Sequence, residues 1–102
     1  MIARHWRGWT ALNDADNYEN LMKDKVLPGL KDIEGYKGGY VLRSSGPSEV
    51  EFVVINFFDS LEAVRRFAGS NCTAAVFEPE AKRLPIKAEP VAMHYEVRAG
   101  SV

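Results

Sequence analysis

The sequence predicts an α+β domain whose elements follow the order β-α-β-β-α-β. The first observation behind this prediction is the chain itself: 102 residues, 46% hydrophobic and 26% charged, make one ordinary globular domain. The second is hydrophobic periodicity, which alternates in four segments and recurs every three or four residues in two others. The third is the placement of Gly, Pro and Ser between those segments. Residues 1–102 are therefore expected to form a single domain.

Four segments have the period-two pattern that is typical of strands. They are residues 2–10, 36–43, 49–58 and 91–98. Gly38 and Gly39 lie inside the second of them. Paired glycines in a strand indicate a bulge, or a close approach of another group to the backbone. We therefore expect an irregularity at this point of the sheet.

The first helix is predicted by four apolar residues that recur with a spacing of four. These are Tyr18, Met22, Val26 and Leu30. The Asn-Asp-Ala-Asp run at residues 13–16 indicates its start, because such side chains cap the N–H groups of a first helical turn. Pro28 is expected to break or kink the helix, since proline has no N–H to donate. Gly35 is expected to end it.

The second helix is predicted to span residues 61–68. If Asp59 is its cap, Glu62 lies at the third helical position and completes a pair like that of a capping box. Gly69 is expected to end it. A further short helix is predicted over residues 73–77, before the prolines that follow interrupt the pattern.

These elements predict a ferredoxin-like sandwich, in which two right-handed βαβ crossovers interlock and both helices cover one face of a four-stranded antiparallel sheet. The third strand adds a further expectation, because it is apolar on both faces. One face carries Phe52, Val54 and Phe58, and the other carries Val53, Ile55 and Phe57. Helices cover only one of these faces, so the other needs a partner. The sequence therefore predicts a homodimer, with an identical subunit on the second face.

Charge and composition exclude several classes of function. A net charge of -1 and a pI of about 6.1 argue against nucleic-acid binding, which needs a concentrated positive field. No apolar run is long enough for a membrane helix, and no secretory signal follows Met1, so a cytoplasmic protein is expected. Cys72 is the only cysteine, which excludes an internal disulfide and a four-thiolate metal site.

Four stretches of the sequence together have a familiar pattern: the opening strand Ile2-Ala3-Arg4-His5-Trp6, the strand from Glu51 to Ile55, the segment Phe58-Asp59-Ser60-Leu61-Glu62-Ala63-Val64, and the closing His94-Tyr95-Glu96-Val97. In these stretches the chain resembles the antibiotic biosynthesis monooxygenase-like proteins of the dimeric α/β-barrel superfamily. The resemblance covers nearly the whole chain, with Phe58 where Trp is more common. It implies a dimeric α/β barrel that binds a small apolar or aromatic ligand between its sheet and its helices.

The haem-degrading members of that superfamily share an Asn on the first strand and a His and a Trp on the second helix. The first strand of this chain has no Asn, and residues 61–68 contain neither His nor Trp. The resemblance therefore implies an activity without haem, and no cofactor is expected.

The two histidines are the candidate catalytic residues. His5 and His94 lie in the middle of the first and last strands, which are neighbours in a ferredoxin-like sheet. A histidine pair in a pocket could transfer protons near neutral pH. The alternative is that both are structural. A metal site of His5, His94 and Glu96 is a weaker hypothesis, and no metal is expected.

Asn56 and Trp6 are the candidate substrate-binding residues. Asn56 is the polar side chain inside the apolar third strand, and a buried amide needs a hydrogen-bond partner, which is either a ligand or another buried group. Trp6 could stack on a planar ligand, or it could serve core or dimer packing.

The resemblance implies a cofactor-independent monooxygenase-like protein that acts on a small aromatic or quinol-type compound. In such reactions the electron-rich carbanion of the substrate reacts with oxygen, and the protein binds it and removes one proton. Two alternatives are a non-catalytic homodimer that binds a small molecule, and an isomerase or lyase on the same scaffold.

Overall fold

The computed structural model of the chain describes residues 1–76 and 81–101, with five strands and three α-helices. The strands are β1 (Ile2–Ala11), β2 (Tyr36–Ser45), β3 (Glu49–Phe58), β4 (Pro85–Ala88) and β5 (Met93–Glu96). The helices are α1 (Ala15–Leu21), α2 (Leu27–Leu30) and α3 (Leu61–Ala68). Short 3-10 turns cover Leu12–Asp14 and Ala81–Arg83. The predicted ferredoxin-like α+β architecture is confirmed: the helices pack on an antiparallel sheet.

The sheet has the strand order β2-β3-β1-β4, and β5 also pairs with β1. β5 lies beside Ile2–His5 and β4 beside Gly8–Thr10, so two short strands follow one another along the same edge of β1. The sequence predicted one strand over residues 91–98 here. The backbone between the two short strands pairs with the segment after α3 and not with β1. The carbonyl oxygen of Pro90 accepts from Ala75 N–H, and Ala92 N–H donates to the carbonyl oxygen of Thr73.

The first helical segment continues from α1 through a π-helical turn at Met22–Val26 into α2. The disturbance predicted at Pro28 therefore takes the form of a wider turn just before it, and the chain stays helical to Leu30. The prediction that Gly35 ends this helix is wrong, because four residues separate it from Leu30. Gly35 instead precedes β2 with a φ of +90°, and a Cβ atom there would lie 2.6 Å from Ala63 Cβ.

The helix α3 has the predicted bounds, but its cap differs from the prediction. Ser60 has an extended backbone and its Oγ accepts a hydrogen bond from Ala63 N–H at 3.2 Å. Asp59 lies one residue too early for this contact, so the predicted capping box with Glu62 does not form. The helix predicted over residues 73–77 is also wrong in its described part, because Ala74 forms a β-bridge instead; residue 77 lies outside the described residues.

The core lies between the helices and one face of the sheet, which we call the helix-covered face. Every second side chain of β3 is buried there: Val50, Phe52, Val54, Asn56 and Phe58. Aromatic contacts join the layers. The rings of Tyr18 and Phe52 are 4.9 Å apart, and those of Phe58 and Phe67 are 6.0 Å apart.

The opposite face of the sheet, which we call the open face, is apolar and has no layer of the described chain over it. Val53, Ile55 and Phe57 of β3 are half-buried there between neighbouring strands. The strand register places four larger side chains on the same face, each 47–60% exposed: Tyr40, Leu42, Met93 and Tyr95. The prediction that β3 is apolar on both sides is therefore confirmed. None of the helices in residues 1–76 and 81–101 is long and apolar enough to cross a membrane.

Candidate functional site

A cavity of about 60 Å³ lies between the helical layer and the helix-covered face. Its walls combine apolar and aromatic side chains with a few polar groups. The lining residues are Arg4, Trp6, Tyr18, Met22, Val26, Leu30, Val54, Asn56, Phe67, Ala75 and Val76. Such a combination, in which a few fixed polar groups lie within apolar walls, is typical of sites for small molecules. Most such sites measure about 300–1,000 Å³, so an aromatic ligand would have to widen this cavity.

Trp6, one of the two predicted binding residues, lines this cavity. Its indole ring lies over Gly8, where any Cβ atom would overlap with it. Its Nε1–H donates to the Glu89 carbonyl oxygen at 2.7 Å. The ring is thus held at both ends, which fixes its orientation in the cavity wall. Across the cavity, burial raises the pKa of Tyr18 to about 12, so its phenol stays neutral at all physiological pH values.

Asn56, the other predicted binding residue, also lines the cavity, and its Oδ1 accepts a hydrogen bond from the Tyr36 hydroxyl at 3.0 Å. Within the part of the chain that the structure describes, its amide nitrogen makes no hydrogen bond. The alternative that Asn56 bonds another buried group is therefore confirmed for its oxygen, and ligand binding through its NH2 group stays a prediction. The close approach predicted at the paired glycines is confirmed, because a Cβ atom on Gly39 would overlap with Asn56 Oδ1.

Arg4 is the residue of this cavity to which the sequence interpretation gave no role. It is only 4% exposed, and its guanidinium donates to the carbonyl oxygens of Cys72 and, at 2.8 Å, Ala74. It also donates to His94 Nε2 at 2.9 Å and lies 5.4 Å from the centre of the Phe67 ring. No carboxylate among the described residues forms an ion pair with it. Burial lowers its pKa, but an arginine side chain remains charged.

The hydrogen bond from Arg4 defines the state of His94. Because a guanidinium only donates, Nε2 of the imidazole accepts, and the neutral ring carries its proton on Nδ1. Burial, and then the charge of Arg4, lower the pKa of His94. The ring is therefore neutral at pH 7, as a general base requires, but its accepting nitrogen is already engaged. His94 supports the cavity through Arg4 and is not one of the residues that line it.

His5 lies on the open face, so the predicted histidine pair does not form. The register places His5 beside Met93 and Ile55, whereas His94 lies beside Arg4. Successive strand residues point to opposite faces, and the two histidines differ by one position in register. In the described residues His5 Nδ1 is buried without a hydrogen-bond partner, and the ring meets Tyr95 edge to face.

The same geometry separates the candidate metal ligands. His94 and Glu96 lie two residues apart on one strand face, and His5 lies on the opposite face. In residues 1–76 and 81–101, no group of three or more His, Cys, Asp or Glu side chains is placed to hold a metal ion.

The sequence pattern of β1 does indicate that Arg4 has a partner or a function. Arg4 and Trp6 share one face of an alternating strand, and the buried face of that strand is the one with Ile2. A charged residue on a buried strand face is rare without a partner or a function. The partners themselves could not be found in the sequence, because Cys72 and Ala74 are about 70 residues away and lie in an irregular segment.

Comparisons with known proteins identify the fold. No protein-family model matches the sequence, and no curated protein sequence matches it. Among solved structures, the chain is similar to an antibiotic biosynthesis monooxygenase-type protein from Bacillus cereus, with 14% identity over 99% of this chain and 96% of that one and a TM-score of 0.69. A haem-degrading protein from Mycobacterium tuberculosis, solved with two haems in its active site, has 15% identity over the full length of both chains and a TM-score of 0.69.

A third similar structure is a monooxygenase from Streptomyces coelicolor in complex with nanaomycin D, with 13% identity over 99% of this chain and 90% of that one and a TM-score of 0.69. At sequence identities of 13–15%, similarity to these structures identifies the fold alone. The chain has the fold of the antibiotic biosynthesis monooxygenase-like proteins, as its sequence predicted. Activity and substrate have to be argued from the cavity of this chain.

Proposed function

We propose that the chain is a homodimeric, cofactor-independent monooxygenase-type protein that acts on a small aromatic or quinol-type compound bound in the cavity. The observation that carries the proposal is a buried guanidinium in an aromatic cavity between sheet and helices. The fold supports it, since proteins with this fold include monooxygenases, one of them solved with nanaomycin D.

The reaction proposed is the oxidation of an activated CH2 group to a carbonyl by O2. Loss of one proton gives a carbanion, which is delocalised over the aromatic system and forms a C–O bond with O2. The resulting peroxide takes up the proton, and loss of water then leaves the C=O group. One oxygen atom of O2 enters the product and the other leaves in water, so no further reductant is needed.

The cavity residues would assist this reaction by binding and by electrostatics. Trp6 would stack on the flat substrate, and the free NH2 group of Asn56 would donate to a substrate oxygen. Arg4 would stabilise the negative charge that develops on ionisation, and a buried charge does so more effectively than one in water. Apolar walls would exclude water from the peroxide.

The apolar open face supports the proposed dimer. A second copy would cover the apolar side chains there, such as Ile55, Tyr40 and Met93, sheet against sheet. This arrangement leaves the cavity of each subunit on the far side of its own sheet.

Oxygen uptake tests the proposed activity. A hydroxyanthrone or a quinol is expected to raise oxygen consumption in the presence of the protein, with loss of activity in Asn56→Leu. The same substitution at Asn20, which is exposed on α1, is the control and is expected to leave the rate unchanged. Conversion of the substrate without oxygen uptake would favour the isomerase or lyase, and binding without conversion would favour the non-catalytic protein.

The role of His94 can be tested by two substitutions at the same site. Gln can accept the hydrogen bond from Arg4 as His94 does, whereas Ala cannot. If His94 positions Arg4, His94→Ala lowers turnover and His94→Gln largely restores it. If His94 is the general base, both variants lose about 100-fold or more of the rate.

One observation favours the non-catalytic alternative. Arg4 and Tyr18 are the titratable side chains among the described lining residues, and neither is a proton acceptor near neutral pH. Because His94 Nε2 is engaged by Arg4, the second candidate function is a homodimer that binds an aromatic compound without converting it.

A further inference from the structure

We infer that the ligand of this cavity is a planar mono-anion, a phenolate or an enolate, with Arg4 as its counter-ion. The inference rests on the proposed function, because it names the charge and the shape of the compound bound at that same site. It applies equally to a catalytic protein and to a binding protein.

The first argument is the charge of the cavity walls. The titratable groups that face Arg4 come from several elements: Tyr18 on α1, His94 on β5, Cys72 in the segment after α3, and Tyr36 beyond Asn56. Burial raises the pKa values of both tyrosines and burial lowers that of His94, so these three groups are neutral at pH 7. The described walls therefore carry the single positive charge of Arg4.

The second argument is the cost of that charge. Arg4 is 4% exposed and forms no ion pair with a described carboxylate; its partners are two carbonyl dipoles and a neutral imidazole. A buried charge with no counter-charge is expensive, and such groups are normally paired. An anionic ligand would supply the missing charge at the point where Arg4 meets the cavity.

The third argument is the supply of hydrogen-bond donors. A guanidinium has five N–H groups, and three of those of Arg4 donate to Cys72, Ala74 and His94. The two that remain, one of them Nε–H, have no partner among the described residues. Together with the amide N–H groups of Asn56, they provide a cavity rich in donors for an oxyanion.

The shape and the single charge of the ligand follow from the other walls. The walls include the aromatic side chains of Trp6, Tyr18 and Phe67, and such side chains pack well against a conjugated ring. A second negative charge on the ligand would have no positive group to meet, and a neutral ligand would leave Arg4 unpaired. A phenolate or an enolate meets both requirements, because its one charge is delocalised into a flat ring system.

A pair of probes of similar shape tests this inference. 4-Nitrophenol ionises near neutral pH and changes colour when it does, whereas nitrobenzene stays neutral. A cation within about 4–6 Å lowers the pKa of an acidic group by about 1–3 units, so the protein is expected to bind the nitrophenolate about 10–1,000-fold more tightly than nitrophenol. The apparent pKa of the bound probe, read from its absorbance, should fall accordingly.

Substitution of Arg4 tests whether this residue causes the preference for the anionic probe. Arg4→Gln is expected to abolish the preference for the anion while nitrobenzene still binds, and Arg4→Lys is expected to keep part of it. Arg98→Gln is the matched control, since it removes an exposed arginine whose partner is Glu96 and should leave the preference unchanged. The wild-type titration needs no variant, so it remains decisive if Arg4→Gln fails to fold.

Two outcomes separate this inference from the proposed function. If nitrobenzene binds as tightly as the nitrophenolate and the pKa of the probe is unchanged, the inference is wrong and an aromatic site remains. If neither probe binds at any pH, the proposed aromatic site itself is wrong, and the inference fails with it.

Discussion

Gly39 shows how a single residue protects the candidate site. A side chain on this residue of β2 would occupy the space of the hydrogen bond between Asn56 and Tyr36. That bond fixes the amide oxygen of Asn56, which lines the cavity. The glycine therefore preserves a hydrogen bond in the cavity wall, although it has no side chain of its own.

Gly39→Ala is expected to lower the free energy of unfolding by about 1–3 kcal/mol, since the new methyl group overpacks a buried site. It should also weaken binding of aromatic ligands, because Asn56 must move. Thermal unfolding and ligand titration measure the two effects. Gly29→Ala, at a helical position with open space around it, is the control and should be neutral or stabilising. Equal stability of both variants would contradict the packing described for Asn56.

The second residue-scale prediction concerns the stability of the protein in acid. The pKa of His94 in the folded chain lies below the 6.5 that is usual for histidine, so between the two values the unfolded chain binds more protons. Stability therefore falls as the pH drops below about 6.5 and is restored above it. His94→Gln should reduce this dependence, measured as Tm against pH. His5→Gln leaves the bond between His94 and Arg4 in place and should keep it. An unchanged dependence in His94→Gln would contradict the prediction.

At the scale of elements, β3 and α3 follow their local patterns closely. The bounds of both agree with the sequence prediction, because each pattern is regular and each is followed by a clear stop. The last predicted strand does not follow its local pattern. The peptide groups near Pro90 pair with the segment that follows α3, and this pairing divides the predicted strand into β4 and β5. This second pairing places Ala74 against Arg4, and the next two residues, Ala75 and Val76, line the cavity.

Ser60→Ala is expected to cost about 1 kcal/mol of stability, because it removes the side-chain cap of α3. Asp59→Ala removes only a charge near the helix N-terminus and should cost less. Chemical denaturation of both variants provides the comparison. The reverse order of the two effects would show that Asp59 is the cap, as the sequence predicted.

For the whole molecule, the open face determines the expected state of association. It carries large exposed apolar side chains over the width of the sheet, from Leu42 and Tyr40 on β2 to Met93 and Tyr95 on β5. A contiguous apolar surface of this kind usually marks an interface. A permanent dimer would bury about 2,000 Å² or more in total.

Sedimentation is expected to give twice the chain mass of 11.4 kDa at low micromolar concentration. Ile55→Asp places a carboxylate at the centre of the open face and should prevent association, since the dimer would bury it unpaired. Leu61→Asp makes the same change at an exposed position of α3 and should leave the dimer intact. A wild-type monomer, or a dimeric Ile55→Asp variant, would show that this face is not the interface.

The sequence by itself determined the order of the elements as far as α3, the two apolar faces of β3 and two residues of the cavity, Trp6 and Asn56. These follow from local periodicity and from the cost of a polar group in an apolar strand, both of which are properties of neighbouring residues. Tertiary structure decided that His5 and His94 lie on opposite faces, because a strand register that differs by one residue reverses the side of the sheet.

Tertiary structure also decided the importance of Arg4. Its charge was visible in the sequence, but its burial and its bonds to Cys72, Ala74 and His94 depend on segments about 70 to 90 residues away. An irregular segment has no periodicity from which such a contact could be predicted. The sequence could therefore predict the fold and two cavity residues, whereas only the folded chain shows that the charge of Arg4 is buried in the cavity wall.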